Sequence, residues 1–175
     1  MIAMTWQASE RIHMLKHPDL ALSCNLSPIV DCGGVLDNHL SAIFGFPNAF
    51  LGMIFFTILA TSGLMLLAGG AFKNWYRHFV IAISLVLFLF STWFFGVSLY
   101  ILGKICIFCV AGWVVTMPLF WYGLLFYLST ATGRLKQKSG SLLSFSLKHH
   151  LDVLLLIYVV MIALYFIRFN YYYFS

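Results

Sequence analysis

Two stretches without a charged residue most constrain this chain: one runs from Phe79 to Gly103, the other from Ile105 to Gly133, with Lys104 between them. Each exceeds the ~20 residues needed to cross the hydrocarbon core of a bilayer. In lipid the backbone must satisfy its own hydrogen bonds, so only helices or a closed barrel can span. Runs this continuous lack the in–out alternation of barrel strands. Charged residues make up 9% of the chain and apolar residues 62%, against about 25% charged in soluble domains. The class is an all-α, polytopic membrane protein. Its formal charge of +5 calls for no nucleic-acid partner, because the basic residues fall in the loops.

Lys104 opens the turn between the two runs, and Cys106-Ile107-Phe108-Cys109 follows it. If Cys106 begins the second helix, Cys109 lies one turn on along the same face, with Cβ atoms roughly 5–6 Å apart. A disulfide needs ~3.8 Å, a small local adjustment, and the helix N-terminus would stabilise a thiolate there. The pair reads as one that opens and closes. The plainer alternatives are two small apolar residues in a buried helix or half of a four-thiolate metal site.

Earlier in the chain, Met1 to Ser9 is uncharged but too short to span, and Pro18 stops the helical stretch that follows it. Residues 1–17 are therefore expected to be the exit end of a first spanning helix whose beginning is absent, with an apolar segment expected upstream. Residues 18–44 form an outer loop with the second pair, Cys24 and Cys32. Ser27-Pro28 can fold that loop back, leaving a reversible or a purely structural disulfide equally open, and Gly33-Gly34 offers a hinge. Val35 to Phe44 carries Leu36, Leu40, Ile43 and Phe44 at helical intervals and is expected to lie in the interface.

Spans are expected at 45–71, 79–103 and 105–133, the last kinked by Pro118. A cytoplasmic loop at 134–152 leads to a C-terminal transmembrane helix at 153–175. Asn48, at the start of the first of these spans, is either a helix-end cap or a donor aimed at a polar ligand. Trp113, one turn past Cys109, is either packing or the wall of a flat aromatic ligand's pocket. The loops at 72–78 and 134–152 hold Lys73, Arg77, Arg134, Lys136, Lys138 and Lys148 against one acid, Asp152. The opposite side holds Arg11, Lys16, Lys104 and Arg168 with four acids. The basic excess puts the first side in the cytoplasm and both cysteine pairs outside, where disulfides persist.

Taken in order, Cys24…Cys32, Phe44-Gly45-Phe46-Pro47-Asn48 and Cys106-Ile107-Phe108-Cys109 with Trp113 resemble the vitamin K epoxide reductase family from about Glu10 to Phe126. The resemblance implies a four-helix bundle around a quinone (ubiquinone or menaquinone), here with its first helix truncated and an extra C-terminal helix. It implies that Cys106 and Cys109 are the active-site pair, with Cys109 facing the quinone. Cys24 and Cys32 would be the shuttle pair, oxidising a separate DsbA-like or thioredoxin-like partner, with Cys32 passing electrons to Cys106. Asn48 would hydrogen-bond a quinone oxygen, and Trp113 would line the pocket. Asn38 stands where the family usually has Ser or Thr. The implied setting is the inner (cytoplasmic) membrane with the active site facing outward. The rivals are a membrane metal-binding protein using all four cysteines, a structural subunit with inert cysteines, and a vitamin-K-epoxide-type quinone reductase.

Overall fold

The long apolar runs become helices because a backbone in lipid has only its own groups to bond with. The computed structural model describes residues 2–17, 24–129, 146 and 148–174. Its elements are α1 (Ile2–Lys16), α2 (Cys32–Leu36), a 3-10 turn (His39–Ser41), α3 (Asn48–Leu67), α4 (Asn74–Val97), a π-helical turn (Ser98–Leu102), α5 (Ile107–Ser129) and α6 (His150–Phe174). Among the described residues, four stretches are long and apolar enough to cross a membrane: Asn48–Leu67, Asn74–Leu102, Ile107–Ser129 and His150–Asn170. The chain is a polytopic all-α membrane bundle. Asp19, residues 130–133 and most of the basic loop expected at 134–152 lie outside the described residues.

Some local expectations are corrected. The single interfacial helix expected over Val35 to Phe44 is instead the end of α2 and a separate 3-10 turn. Asn38 separates them by capping the turn, its Oδ1 accepting from the Leu40 N–H at 3.0 Å. Gly33 and Gly34 are no hinge: they form the first turn of α2, which Asp31 caps by accepting the Gly34 N–H at 3.0 Å. The stretch read as a loop at 72–78 enters α4 at Asn74.

Small residues let the helices meet closely. Met4 of α1 sits against Gly52 of α3 and Gly112 of α5, where added Cβ atoms would lie 3.3 and 2.6 Å from its side chain. α1 therefore fills the seam between α3 and α5. Phe88 stacks on Phe120 at 4.5 Å and Phe95 meets Trp113 edge-on at 4.9 Å, joining α4 to α5. Several hydroxyls within the spans bond back to their own helix, as Thr57 does to the Met53 carbonyl and Thr116 to that of Gly112. No hydroxyl that does so is left for lipid to solvate.

Pro118 has no N–H to give the carbonyl of Val114, four residues back. Tyr158 of α6 supplies the missing donor: its hydroxyl reaches the Val114 oxygen at 2.7 Å. At its other end α6 is tied by Arg168, whose Nε donates to the Leu99 carbonyl at 3.0 Å. Tyr158→Phe is expected to destabilise the docking of α6 by about 0.5–2 kcal/mol, the range for one interhelical hydrogen bond in a membrane. Thermal unfolding in detergent reads this. An unchanged melting temperature would mean that the Val114 carbonyl needs no partner.

Candidate functional site

Residues 24–31 are shaped by their own polar side chains. Ser27 Oγ accepts the Val30 N–H at 3.0 Å, and the Leu26 N–H reaches the Val30 carbonyl at 2.9 Å, closing the Ser27-Pro28 turn. Asn25 Oδ1 accepts the Gly33 N–H at 3.0 Å, drawing the two ends of the loop together. A disulfide joins Cys24 to Cys32 across the same neck. The bond is present in the folded chain, as both the reversible and the structural readings of this pair require.

This loop docks on the turn that carries the other pair. The Ile105 N–H donates to the Ile29 carbonyl at 2.8 Å, and the Asp31 N–H donates to the Ile105 carbonyl at 3.1 Å, a short parallel bridge. The turn can offer Ile105 because the π-helical end of α4 is followed by Gly103 in the left-handed region, at φ +61. Lys104 forms an ion pair with Asp31 over the face of Gly34. A Cβ at Gly34 would lie 2.5 Å from the Lys104 ammonium nitrogen, so a side chain there would displace it.

The docking brings one sulfur of each pair together. Cys106 and Cys109 are free thiols, and Cys106 Sγ lies 3.3 Å from Cys32 Sγ, both fully buried. α5 begins at Ile107, two residues into the span expected at 105–133, so Cys106 stands at the cap position, with its carbonyl accepting the Val110 N–H at 3.1 Å. The Cys109 thiol, with the backbone N–H groups of Cys109 and Phe108, holds the Cys106 thiol below its ordinary range. Burial and the nearby Asp31 carboxylate oppose this.

Burial raises the Asp31 carboxyl, but the Lys104 ammonium and the Gly34 and Gly33 N–H groups outweigh it and leave the pKa lowered. A carboxyl lowered on folding adds stability above the unfolded pKa of about 4 and loses it as pH falls through the lowered value. The pair is partly solvated, so its contribution is about 1 kcal/mol or less. Lys104→Met is therefore expected to melt lower than the unaltered chain at neutral pH, with the gap closing below about pH 4. A gap independent of pH would remove Asp31 from the account of docking.

Beneath the pair lies a cavity of about 320 Å³ between α1, α3, α4 and α5. Its wall contains Cys109, Asn48 and Trp113 together with phenylalanines such as Phe55, Phe90 and Phe94. The volume falls at the low end of small-ligand pockets. An apolar, aromatic wall with one thiol and two side-chain amides, Gln7 and Asn48, fits the ring of a quinone. Trp113, 4% exposed, is both packed on Phe95 and part of this wall. Asn48 is the first residue of α3 and ties down the preceding turn: its Nδ2 donates to the Leu40 carbonyl at 2.8 Å, and its Oδ1 accepts the Ile43 N–H at 3.3 Å. One of its two amide N–H groups is left over from these bonds.

Gln7 was not expected at the site. Its amide nitrogen reaches Cys109 Sγ at 3.6 Å from α1. The available signal was one amide in an otherwise apolar stretch, which gave no hint of the helix it faces. Among the described residues, no group of three or more His, Cys, Asp or Glu is placed to hold a metal ion.

Fold and site together define a membrane-embedded thiol–disulfide protein: two cysteine pairs in contact over an apolar, ring-lined cavity. The family model for the vitamin K epoxide reductase family matches residues 1–124, and the chain belongs to that family of quinone-linked membrane oxidoreductases. No curated protein matches it.

Proposed function

We propose that this chain oxidises the dithiol of a separate DsbA-like (thioredoxin-like) protein outside the cytoplasmic membrane and delivers the electrons to ubiquinone or menaquinone. The observation that carries this reading is the 3.3 Å approach of Cys106 Sγ to Cys32 Sγ. A partner thiolate attacks Cys24, freeing Cys32 as a thiolate, and the second partner thiol then leaves Cys24 and Cys32 reduced. Cys32 attacks Cys106 of an oxidised Cys106–Cys109 pair and releases Cys109 as a thiolate. Cys24 next displaces Cys106 from Cys32, restoring the outer disulfide. An outer pair bonded and an inner pair free, as in the folded chain, is the arrangement this exchange would leave. Cys24 is 5% exposed, so the partner's attack requires the loop to lift from Ile105.

A quinone, when bound, supplies a two-electron, two-proton acceptor. The chain's part is to hold Cys109 at the cavity wall, keep water away with phenylalanines, and offer the remaining Asn48 N–H to a polar atom of the ligand. In this layout residues 1–133 are the catalytic bundle and 153–175 an added helix. The basic side at Lys73 and Arg77 faces the cytoplasm and the cysteines face outward. The decisive assay is quinone reduction by the purified protein, driven by a reduced thioredoxin-like protein. Partner oxidation matched one to one by quinone reduction is expected. Partner oxidation with no quinone reduced would sink the proposal.

Asn48→Ala is expected to raise the quinone KM or lower kcat by about two- to tenfold, the worth of one hydrogen bond, with thiol exchange intact. Unchanged quinone kinetics would leave Asn48 as a tie for the 40–43 turn alone.

A further inference from the structure

We propose that Gln7 is a positioning residue for the inner cysteine pair, its side-chain amide holding the Cys109 sulfur at the cavity wall as a thiolate. The inference rests on the function proposed above. Gln7 is 8% exposed, and its Nε2 lies 3.6 Å from Cys109 Sγ. Both side chains line the same cavity. Their register is held from both sides: Met4 packs at Gly112, and Trp6 stacks on Phe108 with ring centroids 6.4 Å apart.

An amide buried among apolar groups needs a good partner, and a neutral thiol is a weak one. A thiolate is a strong one, because a hydrogen bond to an ion is shorter and roughly twice as strong as one between neutral groups. The contact therefore favours charge on Cys109 once Cys106 is bonded to Cys32 and Cys109 has been released as a thiolate. In the step it serves, the Cys109 thiolate and the Cys106 thiol form one S–S bond, two electrons pass to the quinone, and the quinone takes up two protons, one from Cys106 and the one that Cys109 shed on ionising. Gln7 steadies the sulfur during that change without itself reacting.

The test uses the full chain and two readouts. In a Cys106→Ser background the outer pair stays as a disulfide and Cys109 is the remaining free thiol, so its rate of alkylation by N-ethylmaleimide can be followed at constant pH. Gln7→Met keeps the shape and loses the N–H; it should slow alkylation about tenfold. Gln7→Glu, of the same length, should slow it at least as much, whereas Gln7→His, which restores a ring N–H, should recover part of the rate. With Cys106 present and a small dithiol as reductant, Gln7→Met should lower kcat for quinone reduction about tenfold at unchanged quinone KM. Unchanged alkylation in both Gln7→Met and Gln7→Glu overturns the proposal, whatever the quinone assay shows. Slowed alkylation in a chain that reduces no quinone upholds the Gln7–Cys109 contact and overturns the proposed function.

Discussion

Replacing Cys109 by serine is expected to abolish quinone reduction with every reductant, a fall to the uncatalysed background. Cys109 is the one cysteine in the wall of the cavity, so no other thiol is placed to finish the transfer. Cys24→Ser should behave differently. It removes the outer disulfide that a protein partner attacks, and turnover with the protein partner should stop. Some turnover with a small dithiol should survive, because a small reductant can reach the inner pair without the loop. Side-by-side rates with the two reductants separate the cases. Equal loss of both activities in the Cys24 variant would contradict a division of labour between the pairs.

The second large effect is expected of Ile105→Pro. Proline has no N–H to donate to the Ile29 carbonyl and restricts the residue before it, Lys104, which carries the ion pair to Asp31. One substitution thus weakens both attachments of the loop, the bridge and the ion pair. Thiol–disulfide exchange needs direct contact of the sulfurs, so transfer from Cys32 to Cys106 should slow by at least about tenfold, the effect of losing one hydrogen bond and part of an ion pair. Ile105→Val, which keeps the N–H, should leave transfer near its original rate. Rapid-quench trapping of free thiols measures that step. Equal exchange rates in the Pro and Val variants would show that the bridge does not set the approach of the sulfurs.

The spans were legible in the sequence because a bilayer imposes one rule on every residue of a crossing: no charge, and a helix. Residues 79–103 and 105–133 satisfy it; α4 covers the first as far as Val97, entering earlier at Asn74, and α5 covers the second from Ile107 to Ser129. The irregular region was harder. Leu36, Leu40 and Ile43 share a helical interval, yet the Asn38 side chain takes the Leu40 N–H and breaks the run. Gly33-Gly34 looked like a hinge, but Gly34 is small because the Lys104 side chain crosses it. That requirement comes from a residue seventy positions away, and no local pattern carries it.

The site was legible in its sulfurs and less so in what arranges them. Spacing could propose two pairs; it could not say that Cys32 would lie against Cys106. That contact depends on a backbone bridge between Val30 and Ile105, and bridges leave no mark on side-chain identity. The Tyr158 hydroxyl was hidden in the same way. Pro118 announces a missing N–H, but the donor that answers it comes from another helix.

Passage of electrons between Cys32 and Cys106 is tested most directly by a trapped bond. In the double variant Cys24→Ser with Cys109→Ser, each remaining sulfur has lost its own partner. Mild oxidation in the membrane, followed by protease digestion and mass spectrometry without reductant, reads which cysteines are joined. The expected result is one disulfide, Cys32–Cys106, formed within a single chain in high yield. Two free thiols, or cross-links only between separate chains, would contradict the relay.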